Sequence, residues 1–299
     1  MTRKPDILDP RFVRERALEA RERMSPCQIC PRNCGVHRLE EEEGFCGVGD
    51  TAIVSAAFPH HGEEDCLRGV CGSGTIFFSG CNLRCIFCQN YSLSHYREGK
   101  KESARALALQ MLYLQECGCH NLNLVSPTQV VPQILEALAE AVENGFWLPV
   151  VYNTGGYDSV ETLRLWDGIV DIYMPDFKYW DPAVAEQCSG AKDYPEVARE
   201  TVREMHRQVG DLILDERGIA RHGLLIRHLV LPHDLAGTRD VMRFVATEIS
   251  PHTFVNIMGQ YRPCGQAHRV EELRRPVNTA EVLRAKQMAK EEGLSRFAE

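Results

Sequence analysis

Short apolar runs alternate with longer amphipathic segments from residue 74 onward, and this alternation most limits the fold of the chain. It is typical of parallel βα units, because a parallel strand needs a helical crossover before the next strand can begin. The apolar runs lack the polar alternation of a half-exposed strand, so both faces should be covered. Six strands are predicted, at residues 75–79, 121–126, 148–152, 170–174, 224–231 and 254–258.

The amphipathic segments predict the helices that cover these strands. They lie at about 102–117, 130–144, 158–166, 194–209 and 235–248. Six strand–helix units are too few for a closed eightfold barrel, so the expected fold is α/β, a partial (β/α)6 TIM-like barrel. A last helix is expected within 278–299, with Thr279 as its N-cap and Gly293 as its C-cap.

The first 72 residues differ in character from the barrel. Residues 1–24 are rich in arginine and glutamate and predict a charged helix. Residues 25–72 are rich in cysteine, glycine, proline and acidic residues with little apolar periodicity, which is typical of a small module held by a metal or a neighbour. We therefore expect two domains: residues 1–72, a helix with a cysteine-rich metal-binding module, and residues 73–299, the barrel with its C-terminal helix.

Charge and hydropathy exclude several classes of protein. The net charge of −8 argues against a general nucleic-acid binder. No stretch approaches the roughly 18 uncharged apolar residues of a membrane span, and the N-terminal segment lacks the apolar core of a signal peptide. We expect a cytoplasmic protein, in which the 13 cysteines are metal ligands or catalytic thiols before they are disulfides.

Three cysteines follow the first predicted barrel strand in a single loop. Cys81, Cys85 and Cys88 are spaced so that they can hold one corner of a metal cluster, and thiolates favour iron–sulfur clusters and zinc. Three ligands leave one iron of a four-iron cluster open, whereas a structural zinc site is usually closed by four. The loop also leaves the strand end at which βα barrels place their active sites. A structural zinc loop that borrows a fourth ligand is the alternative.

This loop resembles the cysteine signature of the radical S-adenosylmethionine (SAM) superfamily. The resemblance implies a [4Fe–4S] cluster on Cys81, Cys85 and Cys88 whose open iron binds the amino and carboxylate groups of SAM. Phe87, the aromatic residue before the third cysteine, would pack near the adenine. The reduced cluster would cleave SAM to methionine and a 5′-deoxyadenosyl radical, which takes a hydrogen atom from the substrate.

Motifs at later strand ends resemble the branch that contains the activating enzyme of pyruvate formate-lyase, most closely its uncharacterised relatives. Ser126 and Thr128 stand where that branch has a Gly-Gly-Glu segment that meets the SAM amino group, and Thr128 is alternatively a helix N-cap. Asn153 and Thr154 stand where it has an Asp-Thr-Asn-Gly segment that helps to bind SAM and a monovalent cation. A plain glycine turn is the alternative for this second motif.

Charged residues follow the fourth and fifth predicted strands. Asp176 and Lys178, two apart on an extended segment, point to the same side. An arginine within an apolar strand, such as Arg227, is costly unless it is paired, so it should face a polar site, and the neighbouring His228 should point the other way. By the resemblance Lys178 meets the SAM carboxylate, Asp176 meets ribose or a cation, and Arg227 is a further SAM contact. A salt-bridged barrel rim is the alternative.

Four further cysteines precede the barrel. Cys27, Cys30, Cys34 and Cys46 could close a structural zinc site or an auxiliary iron–sulfur cluster, and unliganded reduced thiols are the alternative. After them come the nearby His61 and Glu63. Either could enter the mouth of the active site, or the segment could be a solvated acidic loop.

The function expected from these motifs is reductive cleavage of SAM followed by hydrogen abstraction. The resemblance favours a glycine of a partner glycyl-radical enzyme as the substrate, and a flavodoxin or ferredoxin as the reducing partner. Radical modification of another peptide or small molecule is a second possibility. A non-catalytic metal-binding protein with purely structural cysteines is the third.

Overall fold

The computed structural model describes residues 8–298, which contain ten strands and ten α-helices. The strands are β1 Ala52–His60, β2 Ser73–Phe78, β3 Lys100–Glu102, β4 Leu122–Val125, β5 Val150–Thr154, β6 Ile172–Pro175, β7 Ile213–Leu214, β8 Ala220–Leu229, β9 Phe254–Met258 and β10 Arg296–Phe297. The helices are α1 Pro10–Glu22, α2 Asp65–Arg68, α3 Tyr91–Ser94, α4 Ala104–Glu116, α5 Val131–Glu143, α6 Val160–Leu163, α7 Pro182–Ser189, α8 Tyr194–Val209, α9 Thr238–Phe244 and α10 Thr279–Glu291.

Six parallel strands form the centre of the sheet, in the order β2-β4-β5-β6-β8-β9. They coincide with the six strands predicted from the apolar runs, which confirms the α/β class and agrees with a partial barrel. The short β10 extends this parallel row beyond β9. The strand order runs from β10 to β3 and does not return on itself.

The strands that the sequence did not predict pair antiparallel or are very short. β1 pairs antiparallel with β2, and β3 pairs antiparallel with β1. β1 lies among residues predicted to be loop-rich, because its small and partly exposed residues produce no clear apolar run. The predicted boundary at residue 72 stays a prediction, and the structure adds that a strand on one side of it pairs with a strand on the other.

The predicted helices are present and differ from the prediction at their ends. α8 has the predicted bounds, and α1 begins at Pro10 after its N-cap Asp9, while residues 1–7 of the predicted helix lie outside the described residues. The prediction missed α2, α3 and α7. In α10 the N-cap is Asn278, not Thr279: its Oδ1 accepts a bond of 2.9 Å from Glu281 N, and Asn278 N donates to Glu281 Oε2 over 2.9 Å. The C-cap is Glu292, one residue before the predicted Gly293.

Side chains that point into the barrel form a layer distinct from the outer core. Val151, Ile172 and Leu225 point inward and pack on Cys66 and Leu67. These two residues belong to the connection between β1 and β2, which lies at the N-terminal ends of the parallel strands. This connection therefore closes one end of the barrel, and the carboxyl ends of the strands at the other end carry the cysteine loop.

Candidate functional site

The cysteine loop begins with a tight turn at the end of β2. Gly80 has φ +81°, and a Cβ there would lie 2.8 Å from the carbonyl oxygen of Cys46, so only glycine fits. The loop that follows is fixed by hydrogen bonds to two of its sulfurs. Leu83 N lies 3.4 Å from Cys81 Sγ, and Ser189 Oγ donates to Cys85 Sγ over 3.1 Å.

The three thiols of this loop are electrostatic neighbours. Burial raises the pKa of Cys88 to about 11, and the nearby Cys85 and Cys81 raise it further. Burial likewise raises the pKa of Cys81, with Cys85 adding to the effect. The ammonium of Lys178 acts in the opposite direction on both Cys81 and Cys88, so a cation faces the three sulfurs.

The donor set suits an iron–sulfur cluster. Soft thiolate ligands select such clusters, and Lys178 would offset part of the negative charge that three thiolates bring. Among residues 8–298, no three histidine, cysteine, aspartate or glutamate side chains already surround a point where a single metal ion would fit. A four-iron cube is larger than one ion, so its ligands stand farther apart than those of a zinc ion at about 2.3 Å from each sulfur.

A network of charged residues lies beside the cysteine loop, where β5, β6 and β8 end. Asp176 accepts hydrogen bonds from Lys178 Nζ at 2.5 Å and from Arg227 Nε at 2.8 Å. Arg227 Nη2 also donates to Asn153 Oδ1 over 2.8 Å. The structure therefore brings together four residues predicted from three separate strand ends, and the expected pairing of Arg227 is confirmed.

Charge balance holds this network in one protonation state. Burial by itself would raise the pKa of Asp176, but Arg227 and Lys178 together hold it below its usual value. Burial would lower the pKa of Lys178, but Asp176 raises it instead. Asp176 therefore stays ionised between two cations. Glu64 and Glu63 also act on Arg227 and raise its pKa.

Glu63 reaches the same network from the opposite end of the barrel. Its Oε2 lies 3.9 Å from Arg227 Nη1 and has no hydrogen-bond partner among residues 8–298. Burial and the neighbouring Glu64 together raise the pKa of Glu63 to about 7 against the lowering effect of Arg227. The neighbouring Glu64 accepts from Asn256 Nδ2 at 2.9 Å. Of the two residues expected at the mouth, His61 is exposed, and Glu63 enters the interior from the closed end.

The two predicted threonines direct their hydroxyl groups to a buried carboxylate. Asp158 accepts bonds of 2.6 Å from Thr128, 2.6 Å from Thr154 and 2.9 Å from Tyr152. Sequence reasoning missed Asp158, although it directly follows the glycine segment of the third strand end. Thr128 is the first residue of a short helical turn whose N-cap is Pro127, and the N-cap of α5 is Val130, so the N-cap alternative for Thr128 is wrong. The SAM contacts of both threonines stay predictions. Because the hydroxyl groups are bound to Asp158, the backbone atoms would have to make these contacts.

Close contacts between backbone atoms shape the strand ends at Ser126 and Gly156. Ser126 has φ +57°, and its N–H donates to Asn153 O over 2.9 Å. A Cβ at Gly156, which has φ +77°, would lie 2.3 Å from Asp176 O. Tyr194 Oη stands within 3.0 Å of Gly155 O and 2.9 Å of Asp176 O. Gly156 therefore allows the backbone that follows β5 to lie against the backbone that follows β6.

Aromatic packing and strand alternation account for the remaining predicted residues. Phe87 is buried, in edge contact with Tyr179 and Tyr261 at centroid distances of 6.2 and 5.7 Å. Its adenine contact stays a prediction. His228 is fully buried on the other side of β8 from Arg227, with its ring nitrogens 2.8 Å from Phe177 O and 3.0 Å from Thr238 Oγ1. The prediction that it points away from the site is confirmed.

Comparison with known proteins identifies the class to which this site belongs. A family model described as the radical SAM superfamily matches residues 75–216. The uncharacterized protein MJ0674 of Methanocaldococcus jannaschii is 31% identical over 308 residues, which cover 97% of this chain and 83% of that protein. The uncharacterized protein MJ0808 of the same organism is 25% identical over 219 residues, or 62% of this chain and 63% of that protein. The chain therefore belongs to the radical SAM superfamily.

Membership of this superfamily implies iron–sulfur and SAM radical chemistry, and an enzyme rather than a purely structural metal protein. The cysteine loop lies inside the matched range, at its first strand end. Among residues 8–298, each helix is too short or too polar to cross a bilayer.

Proposed function

We propose that Cys81, Cys85 and Cys88 hold a [4Fe–4S] cluster at which SAM is cleaved reductively, and that a hydrogen atom is then taken from a substrate inside the barrel. The cluster and SAM supply the electron and the radical, and the protein supplies placement and exclusion of water. The observation that carries the proposal is the position of the three thiols of this loop beside the network of Asp176, Lys178, Arg227 and Asn153.

The network is suited to bind a zwitterionic ligand such as SAM. Asp176 holds Lys178 and Arg227 close together, so two cations lie where a carboxylate could bind. Lys178 would donate to the SAM carboxylate, Asp176 would accept from a ribose hydroxyl, and the amide of Asn153 would accept from or donate to one. Arg227 is bound on two sides, by Asp176 and Asn153, so it orients the other residues of the site.

Polar groups without partners inside the barrel favour a substrate that carries hydrogen-bonding groups. Asn123, on the same face of the sheet as Val151, is fully buried, and neither its amide oxygen nor its nitrogen has a partner in the part of the chain that the structure describes. A peptide group has the complementary donor and acceptor, which supports a protein loop as the substrate, as in the activating enzymes of glycyl-radical enzymes. The buried oxygens of Glu63 and Glu64 support the second candidate, a small molecule with an amino group.

An electron donor can approach the cysteine loop from its outer side. A cavity of about 590 Å³ lies there, lined among others by Phe45, Arg84, Tyr91 and Ser189. Ser189 donates to Cys85 Sγ, so the cavity wall is one side chain away from a cluster ligand. Arg84 makes this surface basic and complementary to a small acidic redox protein such as a flavodoxin or ferredoxin.

The proposal is tested with anaerobically reconstituted full-length protein. We expect a brown four-iron chromophore, a change in the spectrum of the reduced cluster on addition of SAM, and release of 5′-deoxyadenosine with a chemical reductant. Cys85→Ala should abolish all three, while Cys117→Ala, a change of an exposed thiol at the end of α4, should not. A complete cluster that neither responds to SAM nor cleaves it would overturn the proposal.

The substrate is tested separately. Incubation with a glycyl-radical enzyme from the source genome, followed by electron paramagnetic resonance, should show a glycyl radical if the substrate is a protein glycine. Deuterium transfer from a small amine into 5′-deoxyadenosine would instead support the second candidate. Asn123→Ala should impair the first reaction more strongly, and Glu63→Gln the second.

A further inference from the structure

Four cysteines outside the barrel come together in the segment between α1 and β1. Two backbone hydrogen bonds fold the first part of this segment into a loop. Cys27 N donates to Val36 O over 2.9 Å, and Gly35 N donates to Cys27 O over 3.2 Å. A turn closed by Gly47 N and Gly44 O at 3.0 Å presents Cys46 to it. Cys34 lies against Gly44, where an added Cβ would meet its sulfur.

The four thiols are close enough to influence one another's ionisation. Burial raises the pKa of Cys30 to about 12, and Cys46 and Cys27 raise it further. Burial is also the largest cause of the raised pKa of Cys46, to which Cys27 and Cys34 contribute. Cys27, Cys30 and Cys46 are buried, whereas Cys34 is exposed at the edge of the group.

A buried cation beside these thiols lacks the carboxylate that such a cation needs. Arg38 is 1% exposed, and its Nε and Nη2 both donate to a single acceptor, Gly49 O, at 3.1 and 2.8 Å. Within residues 8–298 it forms no ion pair with an aspartate or glutamate. Cys27, which hydrogen-bonds to Arg38, and Cys46 both lie close enough for its positive charge to act on them. A buried guanidinium without a carboxylate is costly, so this position suits an anionic centre such as a metal held by thiolates.

We propose that Cys27, Cys30, Cys34 and Cys46 bind one metal centre as four thiolates, and that this centre anchors the loop of Cys81, Cys85 and Cys88. A Zn²⁺ ion and an iron–sulfur core of charge +2 share the same thiolate chemistry here. Among the described residues no three cysteine, histidine, aspartate or glutamate side chains already surround a point for a single ion, so the four sulfurs would have to move closer together around Zn²⁺. Four thiols release four protons, and the bound centre has a net charge of −2 beside Arg38. The metal site stands by itself, and only its anchoring role rests on the proposed function.

Arg32 connects the two cysteine loops. It lies between Cys30 and Cys34, and its guanidinium donates to Asn82 O at 2.8 Å, to Ser189 O at 2.9 Å and to Gly190 O. Asn82 directly follows Cys81 in the chain, and Ser189 is the residue that donates to Cys85 Sγ. A metal that fixes the N-terminal loop therefore also fixes the backbone on both sides of the cluster ligands.

The site is tested on the wild-type chain by thiol alkylation and mass spectrometry. Cys34 and Cys117 are both exposed, so burial alone would leave both reactive. We expect Cys34 to be protected in the metal-loaded protein and to become reactive after chelation, while Cys117 reacts in both states. Equal labelling of Cys34 and Cys117 in the loaded protein would overturn the proposal.

Metal analysis distinguishes a zinc ion from an iron–sulfur core, and it distinguishes this site from the barrel cluster. In the variant Cys81→Ala/Cys85→Ala/Cys88→Ala we expect one bound centre, either one zinc per chain or iron with matching sulfide. Adding Cys30→Ala should remove it, and adding Cys117→Ala should not. If the triple variant binds neither metal after zinc supplementation and anaerobic reconstitution, the site is disproved, whatever the outcome of the SAM assay.

The anchoring role is tested with Arg32→Met, which leaves all seven cysteines in place. We expect unchanged metal in the N-terminal site but a weaker spectral response of the reduced barrel cluster to SAM, with partial recovery in Arg32→Lys. A spectral response equal to that of the wild type would refute the anchoring role.

Discussion

The two cysteine loops of this protein differ in how the buried cation beside each of them is paired. Beside Cys81, Cys85 and Cys88, the ammonium of Lys178 is already paired with Asp176. Beside Cys27 and Cys46, the guanidinium of Arg38 donates to the backbone carbonyl of Gly49 and forms no ion pair with a carboxylate within residues 8–298. The first loop thus lies beside cations that already have a carboxylate partner, whereas the thiolates of the proposed metal centre would supply the anion for the second.

This difference matches the number of ligands in each loop. Three thiols leave a position of a cluster open, so the charged residues around them are available to a second ligand. Four thiols close a metal site, and a lone cation then serves to stabilise the closed centre. We infer that chemistry belongs to the barrel loop and stability to the N-terminal loop.

The largest effect should separate the loops by activity. Cys85→Ala should lower SAM cleavage by at least ~100-fold, about 2.7 kcal/mol in activation free energy, because the cluster is lost. Cys46→Ala should leave measurable cleavage, since the barrel cluster keeps its own ligands. The measurement is 5′-deoxyadenosine formation per protein chain under reducing conditions. Equal losses in both variants would contradict the division of roles.

The next effect tests the open site. Lys178→Met should weaken SAM binding roughly tenfold or more, since a charge-assisted bond to the SAM carboxylate is lost. The fold should persist, because Asp176 keeps its bond to Arg227. Equilibrium binding of labelled SAM to the reconstituted protein measures the change. Lys192→Met, which alters an exposed lysine, is the matched control and should bind SAM as the wild type does.

The third effect is on the stability of the fold at Asp158, which joins strand β5 to the turn before α5. Asp158→Ala should lower the free energy of unfolding by about 3 kcal/mol, because three buried hydroxyl groups lose their acceptor. Asp240→Ala, which removes an exposed ion pair with Arg243, should cost under about 1 kcal/mol. Urea unfolding measures both, and similar losses would show that the buried network adds no special stability.

The smallest effect is a pH dependence at the closed end of the barrel. Burial raises the pKa of Glu63 from 4.5 to about 7, so the folded chain keeps a proton that the unfolded chain has lost. The stability from this group is present at low pH and is lost as the pH rises towards about 7. Glu63→Gln stays neutral, so its melting temperature relative to wild type should rise over that range. A difference that is constant with pH would contradict the raised pKa.

Local patterns in the sequence determined the elements and the metal chemistry of this protein. The six apolar runs predicted the six parallel strands because both faces of each are buried, and that requirement is visible in the residues themselves. The spacing of Cys81, Cys85 and Cys88 predicted the cluster loop because its ligands lie in one turn. Strand alternation placed Arg227 and His228 on opposite faces of β8, as the structure shows.

Only the tertiary structure decided which residues meet across the sheet. The strand β1 has too little apolar pattern to be predicted, and it forms because β2 and β3 supply its hydrogen-bond partners. Glu63 lies next to Arg227, although the two residues are more than a hundred positions apart in the chain. Arg32 likewise contacts the loop of Cys81, Cys85 and Cys88 from a different part of the structure. Such contacts depend on the register and packing of whole strands, which no short stretch of sequence encodes.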